Sequence, residues 1–367
     1  MKREGATRRL PGSWLMMGVL VAAVASVSVF GAAALRAAQG TQGGRGSGAG
    51  EPGYVWPTPT DADLRLVQGA IDIHTHLDPD SAGPHSSQQA RSIDVIDAAK
   101  RAKAIGMRGF VIKQHYDQSA QLAYVVRKEV PGLEVFGLVG QNLAIGGVNP
   151  AAVYHMAEVK GGWGRFVMMP TWDGENNVKR GNEPGRPFVS VVKNGQVTPE
   201  VQAVISIVAS TKTRDSNGDL VLATGHSSAD EALMILREAR RQGVAHMVVT
   251  HAIGNPVFMT LQQMQEAVGL GAFIEFVAQY AMGPKPAFTL PAYADAMRKV
   301  GIDNVIISTD FGQQGRIIPT DGLAVFAGLM KKEGFTDREL HRMMAENPAR
   351  LMGLPPAPSP SASAGQR

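Results

Sequence analysis

A regular alternation constrains this chain more than any other feature. Short apolar, β-branched runs fall at 70–73, 109–112, 134–139, 165–169, 220–224, 246–250, 272–277 and 304–308, with stretches of helical period between them. The runs are continuously apolar, as strands buried on both faces of a parallel sheet should be. The helical stretches cover 93–104, 118–128, 151–159, 199–209, 229–241, 261–268, 292–300 and 323–332. Several carry start signals: Ser228 can cap before Asp230 and Glu231, Thr198 precedes Pro199 at the first helical position, and Thr260 precedes Leu261. Eight strand–helix units within 68–354 are the count of a (β/α)8 TIM barrel. A doubly wound sheet is the alternative, and it would gather a ligand mainly at its switch point.

The remaining segments stand outside this repeat. The stretch 172–199 is rich in Gly, Asn and charged residues and is expected to be an irregular insertion over the barrel mouth. A short helix over 337–345 is expected before Asn347-Pro348, and the Pro/Ser/Ala-rich tail 355–367 is expected to be disordered. At the other end, 1–9 is basic, 10–35 carries no charge, and small residues follow at Ala32, Ala34, Ala37 and Ala38. That order is the pattern of a signal peptide or membrane anchor over 1–38, which would meet the membrane during export or stay in it. Thr7-Arg8-Arg9-Leu10 partly matches a twin-arginine signal, and 39–67 reads as a Gly-rich linker and lead-in. The expectation is an exported, periplasmic or membrane-anchored protein with its barrel outside the cytoplasm.

Charge and cysteine content exclude whole classes. The formal charge is +4, but five basic residues and one acidic residue precede Gln39, which leaves 31 of each sign in the body. A neutral body without a Lys/Arg cluster offers no electrostatic footprint for nucleic acid. No cysteine is present, which excludes a disulfide framework, a thiolate nucleophile and a Cys-rich zinc site.

In a barrel the C-terminal ends of the strands share one mouth, so residues distant in sequence converge there. Here those ends carry His74 and His76 in Asp72-Ile73-His74-Thr75-His76, then Lys113 and His115, His226, His251, Glu275 and Asp310. Two histidines at i and i+2 of a strand point to one side of it, as two ligands of one metal must. Five of the nine histidines are in this set; His85, His155, His246 and His341 are outside it, with His246 expected at the opposite face.

The reading is a site for one or two divalent metal ions, with zinc as first choice and manganese or iron as alternatives. His74, His76 and Asp310 would share one ion, while His226 and His251 complete that site or hold a second. An ammonium cannot ligate a metal, but Lys113 carbamylated by carbon dioxide becomes an anionic bridge. Unmodified, it would polarise the substrate, and His115 would face the substrate or support a ligand. Asp310 can also take and return the proton of an attacking water. Glu275 is expected to pair with a histidine or contact substrate, and Trp172 and Asp173 to line the substrate pocket.

These motifs resemble the amidohydrolase superfamily of metal-dependent barrel hydrolases. The resemblance lies in Ile71-Asp72-Ile73-His74-Thr75-His76, Gly225-His226, Thr250-His251, Ser308-Thr309-Asp310 and the closing segment 346–354. It is closest to a bacterial amidohydrolase-like branch, through Val111-Ile112-Lys113-Gln114-His115, Gly147-Val148-Asn149-Pro150, Met169-Pro170-Thr171 and Asp310-Phe311-Gly312-Gln313. The resemblance implies His74, His76, His226, His251 and Asp310 as ligands, with Asp310 as acid/base. It also implies a carbamylated lysine on the fourth strand, where this chain has Met168-Met169-Pro170-Thr171 and no lysine.

The leading function is therefore hydrolysis of a C–N or C–O bond in a small-molecule amide, cyclic amide, lactone or ester. Metal-dependent decarboxylation or hydration on the same scaffold, and non-catalytic binding of a metal or solute by an exported protein, are the alternatives. Homo-oligomerisation is left open by the sequence.

Overall fold

In the computed structural model, residues 53–82 and 90–356 are described. The expected signal or anchor at 1–38, His85 and the tail from 357 onward lie outside them. Among the described residues, ten strands form two sheets. Eight make one parallel sheet: β1 (Ile71–Thr75), β2 (Gly109–Ile112), β3 (Glu134–Gly140), β4 (Gly164–Met168), β7 (Val221–Ala223), β8 (Met247–Val249), β9 (Ala272–Val277) and β10 (Val305–Ser308). The other two, β5 (Val192–Lys193) and β6 (Gln196–Val197), form a small hairpin.

The parallel sheet closes on itself just beyond its last ladder. Thr75 bridges Phe311 in parallel, Asp310 N–H donates to His74 O at 2.9 Å, and Phe311 O accepts from His76 N–H at 2.9 Å. The fold is thus a (β/α)8 barrel, and closure removes the doubly wound alternative, which needs an open sheet. All eight apolar runs become its strands.

Helices follow each barrel strand: α1 (Asp61–Leu66) leads in, then α2 (Val95–Ala104), α3 (Ala120–Glu129), α4 (Pro150–Ala157), α5 (Glu175–Arg180), α6 (Pro199–Ser210), α7 (Ala229–Arg241), α8 (Leu261–Gly269), α9 (Leu290–Val300) and α10 (Pro319–Lys332). The cap signals operate as read. Ser228 and Glu231 form a reciprocal capping box, as do Thr260 and Gln263, and Thr198 accepts from Val201 N–H ahead of Pro199.

The core inside the barrel is built from Ile71, Ile73, Val111, Phe136, Leu138, Phe166, Met168, Val221, Ala223, Val248 and Ile306. Leu351 and Met352 join the same cluster. They come from the last helical stretch, which runs longer than the sequence suggests. After α11 (Asp337–His341), a π-helical turn (Arg342–Glu346) leads directly into α12 (Asn347–Leu351), so Asn347-Pro348 does not end the helix. The wider turn makes room for a proline that lacks a donor and would crowd the preceding turn. Asn347 secures this plug by donating to Val305 O at 2.7 Å and Ile302 O at 2.8 Å.

Two more segments differ from expectation. The insertion at 172–199 is structured, containing α5 and the β5–β6 hairpin. In the lead-in, Trp56 donates to Gly315 O at 3.0 Å and packs edge-on against Phe311 at 5.3 Å, ahead of α1. Among the described residues no helix is long and apolar enough to cross a membrane.

Candidate metal centre

The mouth gathers the predicted residues. His74 lies within β1 and His76 one residue beyond it; Lys113, His226, His251 and Asp310 follow the ends of β2, β7, β8 and β10. Five imidazoles form a closed ring of neighbours. Centroids are 5.5 Å apart for His74–His76, 5.9 Å for His74–His251, 4.9 Å for His251–His226, 6.5 Å for His226–His115 and 5.1 Å for His115–His76. All five are buried.

Within this ring, a ligand atom from each of His74, His76 and Asp310 lies within 4.8 Å of the others. Asp310 Oδ1 is 3.0 Å from His76 Nε2 and 3.3 Å from His74 Nε2. The backbone beneath is held tightly. Asp72 accepts from His74 N–H at 3.1 Å, Thr309 N–H at 3.1 Å and Thr309 Oγ1 at 2.6 Å. The register between β1 and β2 slips in the same place, between Asp72 and Thr75. Asp310 and His251 both adopt positive φ, at +53° and +28°. Such conformations in residues other than glycine are costly and concentrate where function over-determines the backbone. Gly225, before His226, also sits at positive φ, and a Cβ there would lie 2.2 Å from Met169 O.

The donor set fits a divalent cation. His74 Nε2, His76 Nδ1 and His251 Nδ1 are buried nitrogens without a hydrogen-bond partner, and buried polar atoms are rarely left so. Two histidines are also oriented from behind. His74 Nδ1 lies 3.1 Å from Glu275 Oε1, and His226 Nδ1 lies 3.2 Å from Asn177 Oδ1, so each Nδ1–H is donated and Nε2 keeps its lone pair.

Electrostatics agree with that reading. Burial, with Lys113 nearby, holds His76 and His115 well below the ordinary histidine range, and burial beside His251 does the same for His226. Burial brings His251 down to about 4. Neutral imidazoles are the form that binds metal. His74 is the exception: burial opposes its charge, but Asp310 and Glu275 flank it and raise its pKa. Burial would lift Asp310, yet His74, His76 and Lys113 outweigh it and hold the carboxylate well below its usual range.

The remaining predicted residues divide. Lys113 is buried, with Nζ 3.3 Å from His115 Nε2, and burial brings its pKa down to about 8 against the pull of Asp310. His115 has partners at both nitrogens: Trp172 Nε1–H donates to Nε2 at 2.7 Å, and Nδ1 lies 2.9 Å from Thr171 Oγ1. Trp172 forms a wall, its ring 5.6 Å from His115 and 5.8 Å from His226. Glu275 lies inside β9, not at its end, and accepts from His251 N–H at 2.7 Å and Ser308 Oγ at 2.7 Å besides His74. Of its two expected roles, the geometry supplies the histidine partner. Asp173 is likewise engaged, accepting from Leu143 N–H and from Arg186 Nη2, each at 2.9 Å.

Sequence reasoning missed several contributors. Asn142, just after β3, links the segments that follow β2 and β4 by donating to His115 O at 2.6 Å and accepting from Thr171 N–H at 2.9 Å. Arg91 Nε donates to Asp80 at 3.0 Å, and its charge bears on His76 and Lys113. Gln279 donates to Asp310 Oδ2 at 3.0 Å. Isolated Asn, Gln and Arg residues in loops carry no periodic or motif signal.

A family model described as a family of unknown function, DUF6282, matches residues 69–275. The chain belongs to this family. The family's matched stretch holds His74, His76, Lys113, His115, His226 and His251 and ends at Glu275, with Asp310 beyond it. A comparison with curated proteins finds no match. Among solved structures, the chain is similar to an organophosphorus hydrolase from Deinococcus radiodurans, at 15% identity and TM-score 0.52 over 82% of this chain and 100% of that one. It is also similar to a lactonase from Listeria monocytogenes, at 14% identity and TM-score 0.50 over 78% and 95% of the two chains. An amidohydrolase from Pseudomonas aeruginosa gives 12% identity and TM-score 0.50 over 80% and 98%. At these identities the likeness is one of fold, the (β/α)8 barrel.

Proposed function

We propose that this protein is a metal-dependent hydrolase of a C–N or C–O bond in a small molecule, an ester, lactone, amide or cyclic amide. The observation that carries the reading is the buried His74, His76 and Asp310 cluster within a ring of five histidines, three of whose nitrogens make no hydrogen bond. The similar barrels described as a lactonase and an organophosphorus hydrolase support hydrolysis over the alternatives.

His74, His76 and Asp310 would hold one ion, and His226 and His251 would complete the site or hold a second. Bound there, a zinc, manganese or iron ion would acidify water and polarise the scissile group. The protein's own part follows from its geometry. Asp310, kept ionised by its neighbours, is the proton acceptor and later donor at the leaving group. Trp172 and the insertion shield the site, with Asn176 of α5 donating to His226 O at 2.9 Å and Pro256 O at 3.0 Å. Lys113, if carbamylated, supplies an anionic bridge from β2; as an ammonium, it polarises the substrate.

Metal content and turnover on a panel of lactones, esters and amides test the reading together. Stoichiometric metal with hydrolysis that stops in chelator and returns on metal addition is the expected result. Full activity in metal-free protein would overturn it. Export, with the barrel outside the cytoplasm, is proposed from 1–38, and fractionation with N-terminal sequencing of the mature protein tests it.

A further inference from the structure

We infer that Gln279 and Arg316 are positioning residues for Asp310, fixing its outer carboxylate oxygen so that the inner one faces the histidines. Gln279 sits in a one-turn 3-10 helix (Ala278–Tyr280) directly after β9, and its N–H donates to Thr309 O at 3.2 Å. Its side-chain Nε2 donates to Asp310 Oδ2 at 3.0 Å, while Oδ1 of the same carboxylate meets His76 and His74. The two oxygens therefore have separate tasks.

Arg316 decides which way the amide points. Its Nη1 donates to Gln279 Oε1. A guanidinium can only donate, so the amide oxygen must turn toward Arg316 and the amide NH2 toward the carboxylate. Without that constraint the amide could present its oxygen to Asp310 and repel it.

The loop bearing Arg316 is itself anchored. Arg316 N–H donates to Gln313 O at 3.0 Å, and Gln313 Nε2 donates to Asp310 O at 2.8 Å. Trp56 holds Gly315 O on the other side. Asp310, at positive φ, needs such external restraint to keep one orientation. Removing a group that orients a metal ligand commonly costs about 10–100-fold in metal affinity.

This inference rests on the metal reading above, and zinc alone is the probe. Purified protein is stripped, and zinc affinity is measured by competition with a chelating indicator for wild type, Gln279→Ala, Arg316→Ala and the double variant. Each single variant is expected to lose about tenfold in affinity, with the melting temperature of the zinc-free protein unchanged. On any substrate turned over, kcat falls and KM holds. Because Arg316 acts through Gln279, the double variant should lose no more than Gln279→Ala alone. Arg316→Lys, which keeps a donor-only cation, should retain most of the affinity. Unchanged affinity in both single variants, or additive losses in the double, overturns the inference. Wild type that binds no zinc instead overturns zinc as the ion and this inference with it, while zinc binding without turnover removes only the hydrolase assignment.

Discussion

Glu275 Oε1 lies 3.1 Å from His74 Nδ1, so a carboxylate on β9 sets the tautomer of a histidine on β1 across the barrel interior. Burial would raise the Glu275 pKa, but His74 and His251 hold it low, so Glu275 stays ionised and acceptor-only. Glu275→Gln keeps the shape but offers one donor group where three donors converge. Zinc affinity should fall about 10–100-fold, measured by chelator competition. An unchanged affinity would show that His74 is oriented by the fold alone.

Metal stoichiometry separates the two schemes open at Lys113. His74→Ala should remove bound metal and turnover together. Lys113→Ala should drop the ratio from two ions to one if a carbamate bridges them, and leave it unchanged if the ammonium serves the substrate. Elemental analysis of the purified variants reads the difference directly.

Gly312 follows Phe311 at φ +116°, and a Cβ there would sit 1.7 Å from His76 O. Gly312→Ala therefore adds backbone strain of about 1–3 kcal/mol to a collision with backbone. Its urea midpoint should fall well below that of wild type. A midpoint within error of wild type would mean that the β1–β10 closure tolerates displacement.

Asp219 is a source of acid sensitivity away from the site. Burial would raise Asp219, but Lys212, His246 and Arg165 outweigh it and depress its pKa. A carboxylate with a depressed folded pKa adds stability above its unfolded pKa and loses it as pH falls through the folded value. Asp219→Asn should therefore flatten the acid limb of the stability curve. Because Asp219 is 39% exposed, the effect should stay below about 1 kcal/mol. Chemical denaturation at a series of pH values checks it, and an unchanged limb would assign the acid response elsewhere.

The barrel was legible because its strands are continuous apolar runs and its helices open on capping residues, both local signals. The histidines and Asp310 were legible because strand ends converge in any closed barrel, whatever the loops do. What escaped depended on loop geometry. Nothing near Gln279 or Asn177 in sequence marks it as a partner of Asp310 or His226, since each contact is made between separate strand–helix units. The π-helical turn before Pro348 was hidden for a similar reason: proline normally marks a helix end, and only packing beneath the barrel shows why this one does not. The contacts of the Asp173 carboxylate with the Leu143 amide and Arg186 were hidden in the same way.

The seam where β1 meets β10 is made by the same few residues that would hold the ion, with Asp310 N–H on His74 O and Phe311 O on His76 N–H. Ring closure and site assembly are then one event. A ligand that binds only the closed form stabilises it in proportion to its concentration, so the cation would act as a clasp on the whole barrel. Metal scarcity would be felt first as a parted seam, with fast amide exchange at Asp310 and His76, and as a shorter life among proteases. The abundance of the folded protein would in that way follow the supply of its metal.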